Sequence, residues 1–158
     1  MAPHESDSSE QRAAEAMVRA QVAALLGKEL RSTRLTLESG AAVEVDGAAE
    51  DESVFVEIFA RQGALKGAQK HKVATDALKL ITIGRSRPGA DLVMAFADEQ
   101  AASYATKGTW MAEALSTWGI DVIVVELEED VRNGIRAAQA RQQMVNPSAV
   151  PPADAELD

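Results

Sequence analysis

The stretch VFVEIFARQGALKGAQKHKVATDALKL, residues 54–80, places one carboxylate inside an apolar run and follows it with a row of cations. Glu57 is flanked by Val56 and Ile58, and a charge in such a run needs a partner or a metal. Lys66, Lys70, Lys72 and Lys79 come next, with Asp76 among them. A hard cation such as Mg²⁺ takes one or two carboxylates and completes its shell with waters and phosphate oxygens. The plainer reading makes Glu57 a salt-bridged strand carboxylate. In the same vein, Lys72, Asp76 and Lys79 have the i, i+4 and i, i+3 spacing of surface ion pairs. His71 reads as surface too, and Asp46-Gly47 is a turn dipeptide in its own right.

Composition limits what these residues can serve. The chain has 158 residues, enough for one domain with its own core. Apolar residues make up 46% and aromatics only 4%, so the core must be aliphatic. Cysteine is absent, which excludes disulfides and thiolate metal sites. No run approaches the roughly 18 apolar residues of a membrane span, and a cytoplasmic location is the default expectation. The net charge of −9 argues against broad nucleic-acid binding. Residues 61–87, however, hold seven Lys and Arg against Asp76 alone, a local +6 that leaves −15 elsewhere. A confined basic face of that kind suits phosphate, and DNA is the partner it suggests. Oligomeric state cannot be read, and a homodimer stays open.

The elements that must position these side chains follow from periodicity. Residues 1–8 and 146–158 read as tails, the latter proline-rich and disordered, around a single domain over 9–145. A first helix is expected from Ser9 to Leu26, with Ser8 and Gln11 as capping box and Gly27 as stop. RLTLES and AAVEVD flank Ser39-Gly40 as a hairpin, and SVFVEIFA is a third strand. Alternation puts Val54, Val56 and Ile58 on one face and Phe55, Glu57 and Phe59 on the other. A helix over 65–83 carries Lys66, Lys70, Val73, Ala77 and Leu80 on one stripe, so its first turns, with Gln69, should lean toward the sheet. DLVMAFA and IDVIVVEL are apolar enough for strands covered on both faces. One helix over 99–118 should bury Tyr104, Met111, Leu115 and Trp118, and a last helix runs over 129–144. The order α-β-β-β-α-β-α-β-α implies an α/β domain with a mixed sheet and flanking helices.

Helix, three-stranded meander, helix, strand resembles the core of the PD-(D/E)xK nuclease superfamily, the restriction-endonuclease-like fold, over roughly residues 9–127. Asp46, ending VEVD, and Glu57, eleven residues on, match the superfamily's spacing of metal-holding carboxylates. The resemblance implies a Mg²⁺- or Mn²⁺-dependent nuclease with Asp46 and Glu57 as metal ligands. Glu15 on the first helix takes the place of the superfamily's additional carboxylate, and Glu44 shares Asp46's face. The superfamily's lysine, two residues after the acidic one, is Phe59 here. A replacement cation is expected from the following helix: Lys70, with Lys66 and Gln69 beside it.

Two functions compete on these residues. One is a metal-dependent phosphodiesterase acting on DNA. The other is a degenerate module that keeps the scaffold for binding, which the phenylalanine at position 59 and the net charge favour. A different α/β enzyme finds no support: the chain has no GxGxxG, no GxxxxGK[ST] and no Ser/His/Asp set, and its two histidines are His4 and His71.

Overall fold

The computed structural model describes the backbone of residues 5–145. Residues 1–4 and 146–158, most of the two expected tails, lie outside the described residues. The elements run α1 (Glu5–Leu26), β1 (Arg31–Thr36), β2 (Ala42–Ala48), β3 (Val54–Phe59), α2 (Gly67–Ser86), β4 (Asp91–Phe96), α3 (Glu99–Thr106), α4 (Trp110–Thr117), β5 (Ile120–Val124) and α5 (Glu129–Val145). The first helix begins at Glu5, so residues 5–8 of the expected tail are helical and Ser8 is inside the helix rather than capping it.

The five strands form one mixed sheet in the order β1-β2-β3-β4-β5. β1, β2 and β3 are an antiparallel meander; β3, β4 and β5 are parallel, joined by helical crossovers. Period-2 alternation along β3 serves two cores. Phe55 and Phe59 face the core under α2, α3 and α4, where Phe59 stacks on Phe96 at 4.8 Å. Val54, Val56 and Ile58 face the core under α1, with Ala14, Val18 and Val22. All six residues of β3 are buried, including Glu57.

Three expectations change. The helix expected over 99–118 is two helices, because Gly108 takes φ +59°, a conformation that costs a residue with a side chain, and the chain turns there. Thr109 then caps α4, accepting from Ala112 N at 3.0 Å. Met111 and Leu115 are buried as expected, but Trp118 is exposed, as is Trp110. Finally β5 is an edge strand and only partly covered, so its apolar run does not mark a strand buried on both faces. Along α2 the buried stripe of Val73, Ala77 and Leu80 is as expected, extended by Ile83. Gly84 lets α2 approach β4 closely: a Cβ there would lie 2.8 Å from Leu92 Cδ1.

Candidate functional site

The site lies where β2 and β3 part. Their ladder pairs Gly47 with Val56 and Ala48 with Phe55, a register that, continued, sets Asp46 opposite Glu57. β2 does not continue it regularly. Against β1, Thr33 pairs with Val45 and Arg31 with Ala48, so β2 carries one extra residue at Asp46-Gly47. Such a bulge re-aims a side chain and bends the strand. Both consequences are present. Val45 and Ala48 face the same core. The Asp46 side chain swings to β3, where its Oδ2 accepts from Ile58 N at 2.9 Å. A carboxylate thus takes the place of a ladder carbonyl at the point of separation.

Glu57 is 1% exposed, between Phe55 and Phe59 on the α2 side of the sheet. Its Oε1 is buried and has no directed hydrogen-bond donor. The Lys79 ammonium nevertheless stands 2.6 Å away, a charge contact rather than a well-aimed hydrogen bond. Burial pushes the Glu57 carboxyl up to about 8, and Asp46 adds to this by accepting its proton and by its charge; Lys79 pulls the other way. Glu57 therefore carries a proton near neutral pH. Lys79 is itself partly desolvated, which disfavours its charge, but Glu57, Asp76 and Asp46 outweigh this and raise its pKa.

α2 supplies the cations, though not the ones its stripe suggested. Lys79 Nζ reaches into the fork and donates to Glu44 O at 2.9 Å. Asp76, read from spacing as a surface partner, is 5% exposed and is gripped by Lys72 at 2.6 Å, with Lys79 3.7 Å away. Lys72 Nζ also lies 4.5 Å above the ring of Phe59. A cation thus stands beside position 59, held on the face of its aromatic ring in a cation–π contact. Lys70 instead lies over Tyr104 of α3 at 5.2 Å, on the other flank of the helix. Lys66 is exposed at the start of α2, and its backbone N donates to Gln69 Oε1 at 2.8 Å, so Gln69 serves as a cap.

The remaining candidates divide. Glu15 on α1 is drawn to the site: burial and the charge of Asp46 raise its pKa, against Lys72, Gln11 and Arg19. Glu44 points its carboxylate away, to Arg34 at 3.4 Å on the exposed side of β1, and contributes only its carbonyl. His71 is exposed, as its spacing suggested. The structure therefore brings together Asp46, Glu57, Glu15, Lys72, Asp76 and Lys79, and leaves Lys66 and Lys70 outside. The oxygens of Asp46, Glu57 and the Glu44 carbonyl are a hard donor set. Among the described residues no three acidic or imidazole side chains converge as a complete metal cage.

A second polar cluster, unforeseen from sequence, braces the site at the ends of β3 and β4. Gln62 is buried and donates to Ala60 O and Ala97 O while accepting from Arg132 Nε at 3.0 Å. Asp98 accepts from Ala101 N, Gly63 N and Arg132. Gln139 pairs with the Gln62 backbone through both ends of its amide. These bonds dock α5 against the loop that leads from Glu57 to α2. Apart from the local contacts of Gln62 with Ala60 and of Asp98 with Ala101, each of these bonds joins residues at least 34 apart, so only the tertiary pairing marks the cluster.

No helix among the described residues is long and apolar enough to cross a membrane. No protein-family model, curated protein or solved structure matches this chain.

Proposed function

We propose that this chain is a divalent-metal-dependent phosphodiesterase acting on DNA, of the restriction-endonuclease-like type that its element order resembles. The observation carrying the reading is the pair of carboxylates, Asp46 and Glu57, turned together by a bulge at the parting of two strands, with lysines entering from the next helix. The α-β-β-β-α-β order and a sheet of meander plus parallel strands support it.

The donor set fits Mg²⁺ or Mn²⁺, which need few protein ligands when phosphate and water supply the rest. Asp46 and Glu57 would hold the ion, with Glu15 facing Asp46 from α1 and the Glu44 carbonyl within the same fork. Bound there, it would polarise a phosphate and lower the pKa of a coordinated water. The chain's own residues do the remainder. Lys72, seated on Phe59, offers its ammonium to a phosphoryl oxygen or the attacking water. Lys79, against Glu57 Oε1, offsets the charge that Glu57 takes on when it loses its proton to bind the ion. Asp76 holds both lysines in place.

The alternative, a degenerate docking module, is favoured by one contact. Lys79 already lies against Glu57 and Glu44 O, so the cluster is satisfied in charge without a metal. Incubation with supercoiled DNA separates the two. A nuclease nicks with Mg²⁺ or Mn²⁺, stops with EDTA, and loses activity in Glu57→Gln while keeping its fold. Wild-type protein that neither nicks DNA nor binds Mn²⁺ by calorimetry is the docking module.

A further inference from the structure

Where β2 leaves β3, the flank of β3 from Ile58 to Ala60 borders a partly open cavity of about 150 Å³ walled by α1, α2 and α5. Its walls are largely apolar: Ala14, Ile58, Leu65, Ile135 and Ala138, with Phe59. A cavity of about that size with apolar walls takes a single aromatic ring. The amides of Gln11 and Gln142 also border it, which suits a ring with a hydrogen-bonding edge better than a hydrocarbon. Two cations, Arg61 and Lys72, and two carboxylates, Glu10 and Glu15, line it; Glu10 is paired with Arg141, and burial raises the pKa of Glu15. Lys72 is engaged by Asp76, but among the described residues no ion pair or hydrogen bond reaches the Arg61 guanidinium. Arg61 is part-buried, and desolvation alone lowers its pKa. A half-desolvated cation without a counter-charge is a standing cost that an anionic ligand removes.

We propose that this cavity takes the base of a pyrimidine nucleotide, with the nucleotide's phosphate held by Arg61 and Lys72. Lys72 also faces the carboxylate cluster through Phe59, so the cavity is the subsite for the nucleotide beside the phosphate under attack. The inference rests on the nuclease reading for where the nucleotide comes from, but base capture needs no metal and can be measured apart from cleavage.

The probe is thymidine 5′-monophosphate, titrated into the full chain in EDTA and followed by amide NMR shifts. Saturable shifts are expected at Ala14, Ile135 and Ala138. Deoxyribose 5-phosphate and deoxyguanosine 5′-monophosphate should each bind more weakly by about tenfold or more, for lack of a base and for lack of room. Arg61→Ala, at a part-exposed position where the fold is not at stake, should weaken the thymidine nucleotide by about tenfold or more. Absence of saturable shifts overturns the proposal. So does equal affinity for the sugar phosphate, which leaves only a phosphate contact, or equal affinity for the purine. Thymidine nucleotide binding that survives in Glu57→Gln, whether or not the wild type cleaves DNA, supports the cavity independently of the catalytic reading.

Discussion

At the scale of single residues, the cluster sets a definite pH dependence. Glu57 holds its proton up to about pH 8 in the folded chain, against a usual value of 4.5. The native state therefore binds more protons than the unfolded state between those values, and stability falls as pH rises through that window. Below it the group is protonated in both states and costs nothing. Glu57→Gln should be near-neutral in stability at pH 4 and more stable than wild type by about 1–3 kcal/mol at pH 8. Urea melts of both proteins at the two pH values check this, and a difference that does not change with pH contradicts the raised pKa of Glu57. The lysines divide by the same geometry. Lys72→Met should abolish nicking while leaving Mn²⁺ binding intact. Lys79→Met should destabilise the chain most above pH 8, where Glu57 is ionised, because it removes the cation at Glu57 Oε1. Lys70→Met, over Tyr104, should do neither. Nicking rates with calorimetry on the three variants test the assignment, and a null effect of Lys72→Met with loss in Lys70→Met reverses it.

At the scale of elements, the site depends on how α5 and α3 are tied to the loop after β3. Asp98 is the knot: it caps α3 through Ala101 N, accepts from Gly63 N, and pairs with Arg132 of α5. Asp98→Ala removes the cap and strands a buried donor, which should cost about 2–3 kcal/mol. Asp98→Asn retains acceptor capacity and should cost about half of that. Hydrogen exchange should show the effect concentrated in residues 60–66 and the start of α5; uniform loss of protection would mean that the cluster does not anchor them. The bulge in β2 is the other element-scale device. It bends β2 from β3 and so opens both the fork that Lys79 enters and the cavity beside Ile58.

Over the whole molecule, one sheet is shared by two cores, each covered by its own helices. Neither core is complete without the strands between them. Val18→Ala on the α1 side and Leu80→Ala on the α2 side should therefore lower the midpoint of the same transition, with calorimetric and van't Hoff enthalpies equal. Two separate transitions would show cores that fold independently. The charge distribution reads similarly. Of the seven cations in residues 61–87, Lys79 and Lys72 turn into the cluster and Arg87 pairs with Glu52. Arg85 is exposed in the last turn of α2, at the helix's far end, and Arg61, Lys66 and Lys70 are left around its start, beside the site. With Lys72 they can meet about four phosphates, so DNA affinity should fall with a log–log salt slope of about −3 to −4, shallow for a DNA-binding protein. A slope near −8 would require a second basic surface.

Local pattern determined a good part of this. Period-2 alternation in VFVEIF assigned Glu57 to the face of Phe55 and Phe59, and the observed cores divide that way. The 3.6-residue period picked Val73, Ala77 and Leu80 as the buried stripe of α2, and unbroken apolar runs marked β4 as central. What periodicity cannot supply is which flank of a buried stripe meets which neighbour. At about 100° per residue, Lys70 lies roughly 60° to one side of Val73, while Lys72, Asp76 and Lys79 lie roughly 60–120° to the other. Both flanks look alike in one dimension, a charged margin beside an apolar seam. The strand order decides between them: β4 stands on one side of β3 and β2 on the other, so one margin of α2 turns to Tyr104 of α3 and the other to the fork. The bulge that turns Asp46 toward Ile58 N is likewise a matter of register between strands, since an extra residue in β2 is extra only relative to its partner, and that partner is known only once the sheet has formed.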